Sequence, residues 1–162
     1  MSVRVFVTGG TFDKDYDELT GKLYFRNTHV EEMLRRGRCG LDVDIETLMM
    51  MDSLEMTEQH RARVVRACLE CDEDQIVITH GTDTMVETAR ELASIKGKVI
   101  VLTGALNPAR FQGSDAVFNI GCAVAAVQTL PDGVYIAMNG RVWDPAKVRK
   151  NRDANRFEDA GG

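Results

Sequence analysis

Short apolar segments rich in β-branched residues alternate with helical patterns along this chain of 162 residues, and this alternation restricts the possible folds more than any other feature. Residues 3–7, 75–79, 98–103 and 134–138 have the composition of buried strands. Helical segments separate several of them, and βαβ crossovers place consecutive strands parallel to one another. We therefore predict a three-layer α/β fold with a mostly parallel sheet and helices on both faces.

The other segments complete this architecture, which is of the flavodoxin-like or Rossmann-like type. Residues 11–26 are polar and contain a turn signal around Gly21, so they predict a β-hairpin or a mobile loop after the first strand. Residues 141–143 are expected to pair with the strand at 134–138. The remaining predictions are a half-exposed strand at 41–48 and helices at 28–37, 57–71 (with Thr57 as N-cap), 83–96 and 114–130.

The composition is that of a globular protein and excludes several classes of function. Apolar residues make up 44%, charged residues 28%, and the net charge is -5. Lysine and arginine are scattered, which argues against a nucleic-acid partner. No apolar run approaches the roughly 20 residues that span a bilayer, and the first residues do not resemble an export signal. We therefore expect a cytoplasmic protein that needs no membrane partner.

Cys68 and Cys71 form a C-x-x-C motif, which in other proteins marks redox or zinc sites. No second C-x-x-C and no nearby histidine pair completes a zinc site. The motif also lies near the end of a predicted helix rather than at its start. We interpret all four cysteines, including Cys39 and Cys122, as free thiols and predict no metal.

Residues 8–11 read Thr-Gly-Gly-Thr and follow the first predicted strand. Two glycines allow a sharp turn close to a ligand, and the peptide N–H groups can then face an oxyanion. Thr11 lies where the strand gives way to a loop, which is a good position for a nucleophilic hydroxyl. The segment lacks the lysine of a phosphate-binding P-loop and the spacing of a dinucleotide fingerprint. A plain turn at the end of a strand is the alternative.

Residues 80–84 read His-Gly-Thr-Asp-Thr and follow the buried strand at 75–79. Thr82 or Asp83 would make an ordinary N-cap for the next helix. An N-cap explains one polar residue but not four around a glycine. A threonine and a carboxylate here could instead bind a ligand's amino group and order a water molecule.

A third polar segment, residues 147–152, is rich in lysine and arginine. By itself such a run is typical of a solvated surface. A buried lysine near Asp83 could alternatively tune a threonine hydroxyl, which is a weak nucleophile without a neighbouring base or a polarised hydrogen-bond chain.

Taken together, the loops at 8–11 and 80–85 resemble the paired signature of the bacterial-type L-asparaginase and glutaminase family, in the same order and about 70 residues apart. The similarity continues through residues 103–105 and 138–140, so it covers nearly the whole chain. The resemblance implies hydrolysis of the side-chain amide of asparagine, and often of glutamine, with no metal and no organic cofactor.

The resemblance also implies a role for each matching residue. Thr11 would attack the amide carbon, and Thr82 would help to activate the nucleophile or a water molecule and position the amide. Asp83 would bind the substrate's α-amino group. Lys150 would maintain the hydrogen-bond chain in the required protonation state. Ser53 would bind the α-carboxylate.

The family also has a supporting tyrosine on the loop after the first threonine. Tyr16 is the first match and Tyr24 the alternative. Leu54 departs from the family pattern, since many members have a glutamine or small polar residue at this position, so part of the α-carboxylate clamp is expected to be missing.

The chain is about half as long as typical members, which carry a second α/β domain. We interpret residues 1–162 as one domain of the N-terminal type, in a natural short form that resembles short relatives within the family. We expect a homodimer or homotetramer, because apolar surface that the second domain would cover needs another partner. The open alternatives are an amidohydrolase acting on glutamine or another small amide, and a non-catalytic module that binds amino acids or other protein chains.

Overall fold

The computed structural model describes residues 2–161. Its central feature is a six-stranded sheet, accompanied by two separate two-stranded hairpins. The elements, in chain order, are β1 (Ser2–Gly9), β2 (Lys14–Asp17), β3 (Lys22–Phe25), α1 (Val30–Arg36), β4 (Asp42–Met51), α2 (Glu58–Glu70), β5 (Gln75–Thr79), α3 (Met85–Leu92), β6 (Val99–Thr103), α4 (Ala116–Thr129), β7 (Gly133–Met138), β8 (Arg141–Trp143), β9 (Val148–Asn151) and β10 (Arg156–Asp159).

The sheet has the strand order β4-β1-β5-β6-β7-β8. The first five of these strands are parallel, and β8 pairs antiparallel with β7 across a tight turn. Numbered along the chain, the parallel strands lie in the flavodoxin-like order 2-1-3-4-5. The chain reverses direction across the sheet between β1 and β5, and ligands bind at such switch points, beyond the carboxyl ends of the strands.

Alternate residues of the strands fill two cores, one on each face of the sheet. On one face, Phe6 and Ile78 pack with α2, α3 and the β9–β10 hairpin, which contributes Val148 and Phe157. On the other face, Val5, Val7, Val77 and Val101 pack with α1 and α4. Helices therefore cover both faces of a mostly parallel sheet, which confirms the predicted fold class.

The β-hairpin predicted after the first strand is present as β2 and β3, whose register pairs Tyr16 with Leu23. The predicted pairing of residues 141–143 with the preceding strand is also confirmed. Helix α2 has Thr57 as its N-cap, as predicted, and the Thr57 N–H donates to His60 Nδ1 at 3.0 Å.

One prediction from the sequence was wrong in detail, and one open alternative is decided. The helix predicted at 83–96 spans only Met85–Leu92, and its N-cap is Thr84 rather than Thr82 or Asp83. Of the two interpretations of residues 147–152, the buried lysine near Asp83 agrees with the structure, because much of the segment forms β9, in which the Lys150 side chain is 9% exposed. In both cases contacts between distant parts of the chain override the local pattern.

All four cysteines are free thiols, and Cys68 lies in the core, where burial raises its pKa to about 12. Within residues 2–161, no helix combines the length and the apolar character that crossing a bilayer requires.

Candidate active site at the switch point

The loops after β1 and β5 meet backbone to backbone at two glycines. Gly10 has a φ of 74° and donates its N–H to the Met51 carbonyl at 2.9 Å. A Cβ on Gly10 would lie 2.4 Å from the Cα of Gly81, which leaves no room for a side chain. This contact brings Thr11, half-buried in a short 3-10 turn, beside the loop that carries Thr82.

The loop after β4 packs against the same glycine contact. A Cβ on Gly81 would lie 2.6 Å from Ser53 Oγ. The Thr84 hydroxyl donates to the Ser53 carbonyl at 2.9 Å, and the Thr84 N–H donates to Ser53 Oγ at 3.3 Å. Ser53 is 1% exposed, so its hydroxyl is packed under the loop at 80–84. The carboxyl ends of β1, β4 and β5 therefore form one continuous surface.

His80 fixes the shape of the loop after β5. Its Nδ1 lies 2.7 Å from the Gly81 carbonyl and its Nε2 lies 2.8 Å from Thr88 Oγ1. A carbonyl can only accept, so Nδ1 carries the proton and Nε2 accepts from the threonine hydroxyl. Complete burial lowers the pKa of His80 to about 4. The ring is therefore neutral at pH 7 and serves as a fixed support.

Lys150 reaches from the β9–β10 hairpin to the loop at 80–84. Its ammonium group donates to Thr82 Oγ1 and to Asp83 Oδ1, both at 2.7 Å. Thr82 is 6% exposed, and the Asp83 side chain is 29% exposed. A lysine, a threonine hydroxyl and a carboxylate are thus joined in one short network with the carboxylate at its open end.

The hairpin presents Lys150 by ordinary strand alternation. Val148 and Lys150 point toward the body of the protein, and Arg149 points outward to Glu158, with 2.6 Å between Nη2 and Oε1. Lys150 is paired in register with Phe157, which is in the core. Packing of the apolar residues therefore sets the position of the lysine.

An ion pair links the first hairpin to the loop after β4. Lys14 Nζ lies 3.0 Å from Asp52 Oδ2. Burial opposes ionisation of Asp52, but the Leu54 N–H and the Lys14 and Lys150 ammonium groups outweigh it and hold the pKa of this carboxyl below its ordinary value. The sequence analysis did not identify either partner, because nothing in the sequence places residue 14 beside residue 52.

The two candidate tyrosines lie on the β2–β3 hairpin, on opposite faces of it. Tyr16 pairs with Leu23 and Tyr24 pairs with Asp15, and neighbouring residues of a strand point to opposite sides. Tyr16 is 51% exposed and packs edge-on against Phe111, with ring centroids 6.3 Å apart. The hydrogen bonds that Lys150 makes to Thr82 and Asp83 involve neither tyrosine.

Two carboxylates that the sequence analysis missed support the loops, Asp13, which is buried, and Asp115, which is half-buried. Asp13 accepts the Thr28 hydroxyl at 3.1 Å and the His29 N–H at 2.8 Å, and burial raises its pKa to about 6. Asp115 accepts the N–H groups of Leu106 and Asn107 at 3.0 and 3.1 Å, which holds the loop after β6. Each connects a loop to a helix, a tertiary relation that short motifs do not reveal.

Taken together, the geometry offers a half-buried threonine hydroxyl, a second threonine bonded to an ammonium group, and an accessible carboxylate. Hydroxyl nucleophiles need such polarised neighbours. The arrangement suits nucleophilic attack on a small polar substrate that carries a cationic or hydrogen-bonding group.

Comparison with known proteins identifies the family to which the chain belongs. Residues 2–158 match the family model described as "Asparaginase, N-terminal". The chain is 33% identical over 174 residues to a glutamyl-tRNA(Gln) amidotransferase subunit of Methanococcus vannielii, covering 96% of this chain and 40% of that protein. It is 30% identical over 156 residues to an L-asparaginase of Thermococcus kodakarensis, covering 93% of this chain and 48% of that protein.

The fold of the chain is also similar to that of solved L-asparaginase structures. The thermostable L-asparaginase from Thermococcus kodakarensis superposes with a TM-score of 0.85 at 26% identity, covering 98% of this chain and 51% of that one. The chain thus spans about half the length of these relatives or less. With the family model matched over nearly its whole length, the chain belongs to the asparaginase family of amidohydrolases.

Proposed function

We propose that this chain hydrolyses L-asparagine to L-aspartate and ammonia, with Thr11 as the nucleophile. The observation that carries the proposal is the Lys150–Thr82–Asp83 network, whose two bonds of 2.7 Å lie beside the loop that holds Thr11. A merely structural turn has no need of a lysine buried against a threonine hydroxyl.

In the proposed reaction, Thr11 Oγ attacks the side-chain amide carbon and forms an ester bond to it. The C–N bond breaks, and the hydroxyl proton leaves with the nitrogen as ammonia. A water molecule then attacks the ester, which releases the carboxylic acid and restores the Thr11 hydroxyl. Both steps build negative charge on the former amide oxygen, which polar groups fixed in place stabilise.

Thr82 and Lys150 have distinct roles in this proposal. Because the Lys150 ammonium donates to Thr82 Oγ1, the hydroxyl proton of Thr82 is directed away from the lysine, toward the substrate or water. One carboxylate oxygen of Asp83 accepts a hydrogen bond from Lys150. The negative charge of this carboxylate attracts the substrate's α-ammonium group. Ser53 holds the loop at 80–84 from below through its two hydrogen bonds with Thr84.

The test is ammonia release from L-asparagine by the wild-type chain, by Thr11→Ala and by the control Thr129→Ala. Thr129 is exposed at the far end of α4, so its loss removes a hydroxyl without touching the site. We expect a loss of at least about a thousandfold in kcat for Thr11→Ala, because the nucleophile is absent, and no change for the control. Absence of ammonia release by the wild type would refute the activity, and full activity of Thr11→Ala would refute the nucleophile.

A second candidate is hydrolysis of glutamine. Two observations favour it: the similarity to a glutamyl-tRNA(Gln) amidotransferase subunit, and the 57% exposure of Leu54 beside Ser53, which leaves this side of the site open to a longer substrate. Comparison of kcat/KM for glutamine and asparagine decides between the two. If the chain binds aspartate but hydrolyses neither amide, it is a non-catalytic binding module.

A further inference from the structure

Arg152 adds a second cation to the accessible carboxylate of the site. Its Nε lies 3.8 Å from Asp83 Oδ1, and its Nη2 donates to the Asp83 carbonyl at 3.4 Å. The same carboxylate oxygen already accepts from Lys150 at 2.7 Å. The Arg152 side chain is 57% exposed, so it lies at the mouth of the site while Lys150 lies inside.

The backbone beneath Arg152 is well anchored. The Asn155 N–H donates to the Arg152 carbonyl at 3.3 Å, and the Ala154 N–H donates to Asn151 Oδ1 at 3.0 Å, which closes the β9–β10 turn. The arginine therefore has a fixed backbone and an exposed guanidinium group. Its contact with Asp83 is long and weak, as is usual for exposed ion pairs. The guanidinium can therefore exchange this contact for a stronger one with a bound anion.

The charges around Thr82 do not balance. Two cations, Lys150 and Arg152, share the one carboxylate of Asp83, whereas the Asp52 carboxylate is paired with Lys14. One positive charge remains, and it belongs to the exposed Arg152. An incoming ammonium group gains less from Asp83 than it would from an unpaired carboxylate, since two cations already surround that oxygen. An incoming carboxylate gains a guanidinium, whose planar fork matches carboxylate geometry.

We propose that Arg152 determines specificity by binding the substrate carboxylate, and that the site accepts monoamides of dicarboxylic acids whether or not they carry an α-amino group. The inference rests on the proposed function and extends it from asparagine to a substrate class. Succinamate, which is asparagine without its amino group, is the simplest additional member. An amide with an ammonium but no carboxylate, such as 3-aminopropanamide, is a poor substrate.

Calorimetry with succinate and L-aspartate on the full chain tests the binding step without requiring turnover. A strong ammonium–carboxylate contact is worth about tenfold to a hundredfold in affinity. We expect succinate to bind the wild type within about tenfold of L-aspartate, because Asp83 is largely compensated. Arg152→Gln should weaken succinate at least about fivefold, the effect of one rim ion pair.

Arg156→Gln is the matched control, since Arg156 lies on the same hairpin, is 69% exposed and pairs with Glu158 rather than Asp83. It should change succinate affinity less than about twofold. Unchanged succinate affinity in Arg152→Gln, equal losses in both variants, or no succinate binding by the wild type would each overturn the inference.

Ammonia release from succinamate, L-asparagine and 3-aminopropanamide separates this inference from the proposed function. Turnover of asparagine but not succinamate leaves the proposed function standing and overturns the substrate class. Binding of succinate through Arg152 with no turnover of any amide refutes the proposed function and leaves the carboxylate-binding role of Arg152 standing.

Discussion

Lys150 is the residue on which the candidate site depends most. A buried ammonium group is stable only with hydrogen-bonding partners, and Lys150 obtains them from Thr82 and Asp83 at 2.7 Å each. These bonds join the hairpin at 148–159 to the loop at 80–84. The lysine therefore both holds the two segments together and takes part in the proposed reaction. Its loss would leave the Thr82 hydroxyl free to rotate and Asp83 with only the distant contact to Arg152.

Lys150→Met should therefore abolish most of the activity while the chain remains folded. We expect kcat for amide hydrolysis to fall at least about a hundredfold, the effect of removing one preorganised polar group from an active site. Methionine keeps the length and apolar stem of lysine, so hairpin packing should survive. Steady-state ammonia release, with circular dichroism to monitor folding, measures this.

The control is Lys147→Met, which removes the same charge from an 81% exposed side chain next to β9. Its kcat should match that of the wild type. Retention of more than about a tenth of the activity by Lys150→Met would show that the ammonium group is not needed for the preorganisation described above.

The contacts of Thr82, Asp83 and Lys150 were one of two alternatives from the residues, and only the resemblance to a family favoured them. By local pattern alone, Thr82 and Asp83 fit an N-cap and Lys150 fits a solvated run. The bond between residues 82 and 150 depends on how the chain folds back, and no local pattern contains it. The arginine two residues after Lys150 was likewise not singled out, because its partner Asp83 is 69 positions away.

At the level of elements, the β9–β10 hairpin connects the core beneath α2 and α3 to the site. Phe157 packs among the apolar residues under the sheet, and its register partner is Lys150. The sequence analysis missed both strands, since four-residue segments rich in charge carry little strand signal. The central parallel strands β5 and β6 were predicted well because burial on both faces makes them almost continuously apolar.

Phe157→Ala tests whether this packing positions the lysine. The substitution should cost about 3 kcal/mol or more of stability, as for other buried aromatic residues. We also expect kcat to fall about tenfold or more below the unfolding temperature, because a displaced Lys150 loses both short bonds.

Ile120→Ala provides the comparison, since Ile120 is buried in α4 on the opposite face of the sheet. It should lower stability by about 2 kcal/mol or more and leave kcat unchanged. Equal effects of the two variants on kcat would mean that activity follows general stability rather than the position of the hairpin.

At the scale of the whole molecule, the strand order determines where the site is. The switch point between β1 and β5 brings together loops from residues 8–11 and 80–84, and β4 adds Ser53 beside them. Strand identities and the parallel arrangement follow from composition and periodicity, so this location was predictable. The roles of Asp13 and Asp115 were not predictable, because the hydrogen-bond partners of a carboxylate are set only once distant parts of the chain have folded together.

Asp13 ties the loop after β1 to α1, and its titration should appear in the global stability of the chain. Burial raises its folded-state pKa to about 6 from an ordinary value of 3.8. Between these pH values the folded state holds a proton that the unfolded state has lost, so the Asp13 contribution to stability is fully present below pH 3.8 and is lost as pH rises through about 6. The difference of about two pKa units corresponds to about 3 kcal/mol.

Asp13→Asn removes this titration while keeping an oxygen that can accept from Thr28 and His29. We therefore expect the unfolding free energy of the wild type, measured relative to Asp13→Asn, to fall by about 2 kcal/mol or slightly more between pH 4 and pH 7. Urea unfolding of both proteins at several pH values measures the difference, and titrations shared by the two proteins cancel in it. A difference that stays constant with pH, or rises, would show that the folded protein does not raise the pKa of Asp13.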